Sequence, residues 1–336
     1  MGLLQQGQWV DQWYDTGKSE GKFEREAARF RHWVTADGNA GPAGDSGFKA
    51  EAGRYHLYVS LACPWAHRTL IFRTLKNLES LIAVTVVEPH MLENGWEFAG
   101  PGQSHNARHI HGAEAEPLYG KDYLYQLYLQ AAADYSGRVT VPVLWDKQQN
   151  TIVSNESADI IRMFNSAFNH LTGNSQDYYP NPLRSEIDAL NERIYHNINN
   201  GVYRAGFATS QQAYEQAFDD VFNTLDWLEQ RLCEQRYLTG SKLTEADWRL
   251  FTTLIRFDAV YHGHFKTNRQ RLADYPQLSA YVRDLYQQPG VAATVNFEHI
   301  KQHYYYSHGE INPTRIVPKG PLQDFSLSHQ RHRLDN

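Results

Sequence analysis

The chain has 336 residues, too many for one compact core and enough for two domains. Hydrophobic residues make up 41% and charged residues 21%, a globular balance that excludes a disordered chain. The formal net charge of -6 leaves no basic surplus to neutralise phosphates, so no nucleic-acid partner is expected.

In chain order, Met1 to Gln6 shows no basic stretch followed by an apolar core, so no signal peptide is expected. Residues 1–50 read as an extension that wraps over a neighbouring surface rather than forming a core. They are rich in Gly, Asp, Gln and Trp and end in the turn-forming run Gly38 to Asp45. Tyr55 to Ser60 predicts a strand. Pro64 to Leu78 predicts an amphipathic helix with Pro64 in its first turn and Trp65, Leu70, Ile71, Leu75 and Leu78 as its apolar positions. Ile82 to Val87 predicts a second, buried strand, and the β–α–β order implies a parallel pair. Residues 93–121 form a long polar connection.

Val139 to Asp146 reads as a third strand, with Pro142 marking a bend or a cis bond. Thr151 to Val153 is its hairpin partner, and a helix runs from Glu156 to Phe164. Asp177 to Pro182 reads as a linker. Helices are then predicted at roughly 183–200, 210–235, 244–260 and 277–288, the third opened by the capping-box-like Thr244-Glu245-Ala246-Asp247. From about residue 300 the periodicity fades into a tail, in which His329 to Arg333 is expected to be disordered. The predicted fold class is an α/β thioredoxin-like N-terminal domain followed by an all-α C-terminal domain. The expected division is an extension (1–50), a thioredoxin-like domain (51–170) and a helical domain with tail (183–336). No apolar run approaches the ~20 residues needed to cross a bilayer, so no membrane association is expected.

Two cysteines exclude a disulfide framework and fit a reducing compartment, so a cytoplasmic setting is expected. Cys63-Pro64-Trp65-Ala66 lies at a strand-to-helix junction. A thiol there faces the unpaired N–H groups of the first turn and the positive end of the helix dipole, both of which favour the thiolate. His67 and Arg68 stand close enough in sequence to add positive charge. The alternative is a buried cysteine acting as a small hydrophobe. Ala66 stands where a C-x-x-C motif carries its second thiol, so a mixed disulfide on Cys63 needs an external thiol to resolve it. Glutathione is the natural candidate, and Cys233 is expected to be a packed helix residue.

A glutathione site has recognisable parts. Its peptide backbone pairs with an extended segment beside Pro142, which points to Val141. Its γ-glutamyl carboxylate suits a helix N-terminus and its ammonium a carboxylate, which Glu156-Ser157 supply. His105, His109 and His111, with Arg108 among them, lack a cysteine or carboxylate to complete a ligand set, so no metal is expected. The 21 Tyr and 8 Trp are enough to line a pocket for a flat ligand, although composition alone favours core and rim filling.

Ser60 to Arg68, Glu93-Asn94-Gly95-Trp96, Gly137 to Asp146, Ser154 to Ser157, Asn199 to Phe207 and Asn312-Pro313-Thr314 together resemble the glutathionyl-hydroquinone reductases, the Xi class of the glutathione transferase superfamily. The resemblance runs nearly end to end and departs mainly in residues 99–120. It implies reduction of glutathionylated hydroquinones by glutathione as co-substrate, with release of glutathione disulfide, by a homodimer. By motif match Cys63 is the nucleophile, and Trp96, Arg138, Val139, Thr140, Val141, Glu156 and Ser157 hold glutathione. Tyr203 matches the proton-transfer tyrosine, and Tyr261 and Tyr304 match tyrosines held near the cysteine sulfur. Such a reaction must expel an aromatic carbon from sulfur. A hydroquinone that tautomerises to its ketone turns that carbon into an enolate-type leaving group, which needs a positioned acid and base. An omega-like thioltransferase or dehydroascorbate reductase, and a non-catalytic scaffold on the same fold, are the alternatives.

Overall fold

The structure is a computed structural model, and it describes residues 2–100 and 110–335. The chain divides into two compact units, each assembled from three separate segments. The first comprises Met1–Trp13, Glu26–Gln176 and Thr294–Ser307; the second comprises Tyr14–Arg25, Asp177–Ala293 and His308–Asn336. Segments 14–25 and 294–307 therefore group differently from the expected ranges 1–50 and 183–336.

The first unit opens with a hairpin of β1 (Leu3–Gln5) and β2 (Gln8–Val10). The central sheet uses β3 (Tyr55–Val59), followed by α1 (Pro64–Leu75) and β4 (Ala83–Val86). Next come α2 (Leu124–Ala131), β5 (Gly137–Arg138), β6 (Val143–Asp146), β7 (Thr151–Ser154), α3 (Ser157–Ser166) and the single turn α4 (Asn169–Thr172). The sheet order is β4-β3-β6-β7, with β3 parallel to β4 and antiparallel to β6. All residues of β3 and β6 are buried, as the two middle strands of a covered sheet must be. The parallel β3–β4 pair is the one the crossover through α1 implied, and α1 packs with α3.

The second unit is helical. It holds α5 (Arg184–Ile194), which runs through a π-helical turn (Tyr195–Asn199) into α6 (Gly201–Gly206), then α7 (Gln211–Glu234) and α8 (Glu245–Leu254). A second π-helical turn (Phe257–Tyr261), the short α9 (His262–His264) and α10 (Pro276–Tyr286) follow. The chain then returns to the first unit for α11 (Phe297–Ser307). An α/β half with a mixed sheet followed by a helical half is thus what the fold shows. Asp247 anchors the second unit. It caps α8 by accepting from the Thr244 N–H at 2.8 Å, and it also takes the Leu238 N–H and the Tyr281 hydroxyl, each at 2.8 Å.

Four expectations need correction. The extension does contribute core: Leu4, Val34 and Phe48 are buried, and β1 pairs with β5. Helix α11 lies where the periodicity had faded, because its buried face is His299, Ile300, His303 and Tyr304 rather than an aliphatic stripe. The tail is not disordered: Arg331 is buried and donates to the carbonyls of Leu232 (3.1 Å), Gln235 (2.7 Å) and Arg236 (2.9 Å), closing the end of α7. Cys233 is exposed, not packed, because it falls on the outer face of α7 while Leu232 takes the inner one. Among the described residues, no helix is long and apolar enough to cross a membrane.

Candidate active site

Cys63 is the N-cap of α1. Its φ of -74° and ψ of 121° are extended, and Pro64, which has no N–H to leave unpaired, occupies the first helical position. The Ala66 N–H points at Cys63 Sγ from 3.5 Å, and Sγ lies 3.6 Å from the Val141 carbonyl oxygen. Cys63 as a residue is 9% exposed, so the thiol is shielded. The N–H contact and the helix dipole both stabilise negative charge on this sulfur.

Val141 is held opposite the thiol by the loop 137–142. The Val141–Pro142 bond is cis, and β6 begins only at Val143, so Pro142 ends the bend rather than interrupting the ladder. Thr140 is fixed from behind by Tyr128: its N–H donates to the Tyr128 hydroxyl at 3.2 Å, and that hydroxyl donates to the Thr140 carbonyl at 2.8 Å. Asn155 Nδ2 also donates to Tyr128 Oη, at 3.1 Å, joining this loop to the start of α3. Val139 is buried. Arg138 pairs with β1 through its backbone, and its guanidinium donates to the Gln12 carbonyl and, at 3.1 Å, to the Trp13 carbonyl. In this arrangement Arg138 ties the loop to the extension.

Glu156 and Ser157 open α3 as expected. Glu156 is the N-cap, and its carboxylate accepts from the Ala158 N–H at 2.9 Å. Ser157 Oγ accepts from Arg68 Nη1 at 3.3 Å. Arg68 is almost wholly buried, and its guanidinium lies 4.6 Å from the Trp65 ring centroid, so it links α1 to the start of α3. His67 is also buried and bonds Thr294 Oγ1 at 2.7 Å through Nε2. Asp159, in the first turn of α3, is pushed up from the ordinary carboxylate range by burial, although Arg31 pairs with it and opposes that shift.

Trp96 is buried, with its ring stacked on His303 at 4.9 Å and 24°. His303 belongs to α11, and its Nδ1 bonds the Pro89 carbonyl at 2.9 Å. Tyr304, the next residue, is 1% exposed. The same helix holds the connection after Trp96, where His299 Nε2 donates to the His111 carbonyl at 3.0 Å. Burial lowers the pKa of His299, and that hydrogen bond opposes the shift. The first unit thus contains Cys63, Trp96, the stretch 138–141, Glu156, Ser157 and Tyr304.

Tyr203 and Tyr261 belong to the second unit, where their ring centroids are 6.1 Å apart. Tyr203, on α6, also meets Phe23 at 6.4 Å, Phe207 at 6.0 Å and Phe265 at 5.5 Å. Gly206 makes the last contact possible: a Cβ there would stand 2.2 Å from the Phe265 ring.

Several groups that shape these surroundings carry no motif. Tyr128, Asn155 and His303 act through tertiary bonds, and Phe23 arrives from the extension. Only the buried i, i+3, i+4 spacing of Leu124, Leu127 and Tyr128 signals α2 in the sequence, and interleaved tyrosines blur it. Among the described residues no cluster of His, Cys, Asp and Glu could hold a metal. His105, Arg108 and His109 lie outside the described residues, and His111 is exposed.

Two family models match the chain: glutathione S-transferase, N-terminal domain, over residues 62–167, and glutathione S-transferase, C-terminal domain, over residues 211–284. The chain is 58% identical over 331 residues to the glutathionyl-hydroquinone reductase YqjG of Escherichia coli (strain K12), covering 98% of each. The glutathione-bound structure of that protein superposes with a TM-score of 0.89 at 55% identity, over 98% of this chain and 99% of the other. The glutathionyl-hydroquinone reductase PcpF of Sphingobium chlorophenolicum is 52% identical, over 96% of this chain and 97% of its own length. A Xi class transferase from Natrialba magadii superposes with a TM-score of 0.89 at 46% identity, over 99% of this chain and 97% of that one.

Proposed function

The chain belongs to the glutathione S-transferase family, in its Xi class, and from that premise we propose that it is an enzyme reducing glutathionyl-hydroquinones to hydroquinones with glutathione. The Cys63 thiolate attacks the sulfur of the conjugate, forming the Cys63–glutathione disulfide as the carbon–sulfur bond breaks. The electron pair of that bond leaves with the ring carbon, which takes a proton and becomes C–H, so sulfur is oxidised and carbon reduced. A second glutathione, as thiolate, attacks the mixed disulfide, releasing glutathione disulfide and restoring Cys63. The reaction sums to conjugate plus glutathione giving hydroquinone plus glutathione disulfide.

In this reading Tyr203 supplies the proton, and Tyr261 and Tyr304 donate hydrogen bonds to the thiolate. Trp96, Arg138, Val139, Thr140, Val141, Glu156 and Ser157 hold glutathione, and Arg138 also braces the loop. The observation that carries it is the cysteine sulfur facing the Ala66 N–H at 3.5 Å, at a helix start with no second thiol in the motif. A cytoplasmic homodimer without a metal completes the proposal.

The test is mass spectrometry after incubation with a glutathionyl hydroquinone and no free glutathione. One glutathione on Cys63 is expected, and Cys63→Ala should lose turnover by a factor on the order of 10³ or more. Full turnover in Cys63→Ala would overturn the reading. Turnover confined to disulfide substrates would replace it with the thioltransferase alternative.

A further inference from the structure

The segment 14–25 of the extension groups with the second unit, and its last residue is placed with unusual specificity. The Arg25 guanidinium carbon lies 5.0 Å from the centroid of the Tyr203 ring and 5.5 Å from that of Phe23. Arg25 Nε donates to Asn200 Oδ1 at 3.2 Å. Asn200 sits where the π-helical turn meets α6, with its own N–H bonded to the Tyr195 carbonyl at 2.8 Å, so the acceptor is fixed. The segment is itself anchored, since the Thr209 N–H donates to the Gly21 carbonyl at 3.0 Å and Ser210 Oγ to the Glu20 carbonyl at 2.9 Å.

We propose that Arg25 is a positioning residue for the proton-transfer step, setting the acidity of Tyr203 by holding a cation over its ring. This deepens the function proposed above and rests on it. A cation within ~6 Å of an aromatic face is attracted to it. It stabilises the phenolate more than the phenol, because the phenolate carries a full negative charge. The phenol becomes a stronger acid where the departing ring carbon needs its proton. The aromatic wall of Phe23, Phe207 and Phe265 strengthens the effect by lowering the local dielectric.

Other titratable groups around Tyr203 are arranged differently. Tyr261 faces it from the second π-helical turn at 6.1 Å. Arg204, next on α6, pairs with Asp220 of α7 at 3.0 Å. His264 and His308 bond each other at 3.1 Å and stack on Phe265. Asp258 is turned to the Leu272 and Ala273 N–H groups.

The experiment is the pH profile of kcat for the full-length enzyme on a glutathionyl hydroquinone, with Arg25→Gln and Arg25→Lys. In Arg25→Gln the alkaline limb should move up by about one pH unit, and kcat at pH 7 should fall roughly threefold. Arg25→Lys should move the limb less than half as far. In a Tyr203→Phe background, Arg25→Gln should add no shift. An unmoved limb in Arg25→Gln overturns the proposal, and so does an equal shift in Arg25→Lys. The limb's midpoint does not depend on the active fraction, so partial misfolding cannot mimic either result. Turnover retained in Cys63→Ala would remove the underlying reading, whereas a Cys63-dependent enzyme with an unmoved limb removes only the role of Arg25.

Discussion

The surroundings of Cys63 and those of Tyr203 are built on opposite principles. Around Cys63 the polarity comes from backbone: a first-turn N–H, a helix dipole and the Val141 carbonyl. Around Tyr203 the enclosure comes from side chains, the neighbouring Phe207 and, from distant parts of the sequence, Phe23, Arg25, Tyr261 and Phe265. Backbone polarity comes with the local fold and tolerates most changes of neighbouring side chains. An enclosure made of side chains exists only when the tertiary structure is complete, and single substitutions can retune it. A nucleophile that must be charged suits the first arrangement, and a proton donor whose strength must be adjusted suits the second.

The largest expected effect tests whether the aromatic enclosure does chemistry at all. Tyr203→Phe removes only the hydroxyl. It should lower kcat on a glutathionyl hydroquinone by a factor on the order of 10³, about 4 kcal/mol, while disulfide reduction falls far less. Equal losses on both substrates would mean that Tyr203 serves packing, and the contrast with Cys63 would fail.

Acid offers a second way to probe the two units, since each contains a buried histidine whose pKa burial lowers strongly. Burial lowers the pKa of His56 to about 4, with Lys147 adding to the shift, and it lowers that of His264 to about 4, with Lys266 adding. An unfolded histidine titrates near ~6.5. Between these values the unfolded chain binds a proton that the folded protein refuses, so stability is complete above pH 6.5 and is lost as pH falls toward 4. Each histidine accounts for about 3 kcal/mol over that range. His56 Nε2 bonds Thr85 Oγ1 at 2.8 Å, and calorimetry should show Tm falling from pH 6.5 to 4, with a shallower slope in His56→Gln, whose amide keeps a group for Thr85. A flat profile would contradict the assignment of both.

The smallest effect sharpens the comparison by confining damage to one region. Arg331→Ala leaves the carbonyls of Leu232, Gln235 and Arg236 without their buried donor. It should cost about 2 kcal/mol in denaturant unfolding. The alkylation rate of Cys63 should not change, because its polarity is local. A slowed alkylation would show that the thiol depends on more than its own helix start.

The same contrast explains what could be read from the sequence. Cys63-Pro64, Val141-Pro142 and Glu156-Ser157 are contiguous, and each carries its structural reason within a few residues. Strands β3, β4, β6 and β7 announce themselves by β-branched and aromatic runs. Helix α11 is not legible in the sequence because its inward face is mostly histidine and tyrosine, with Ile300 alone as an aliphatic residue. Arg331 looks in sequence like part of a loose basic tail, since nothing near it reveals that its guanidinium ends a helix almost one hundred residues earlier. Cys233 shows the limit of position alone: near a helix end, one residue of rotation separates the buried Leu232 from the exposed thiol. Arg25 carried no motif, and only its distance from Tyr203 singles it out.

The order in which the segments occur has a consequence for how this protein is made. The first unit takes its final helix from Thr294–Ser307, after the whole of 177–293 has been laid down for the second. During synthesis, the sheet with Cys63 emerges long before the His303 ring that covers Trp96. The second unit waits for its C-terminal segment in the same way. The first unit cannot be finished before residue 307, so a nascent chain holds an incompletely covered thiol domain until the whole of 177–293 has been made. A cut between residues 176 and 177 would separate two fragments, each lacking pieces carried by the other. The interleaving of the segments ties the completion of each unit to chain that lies beyond part of the other.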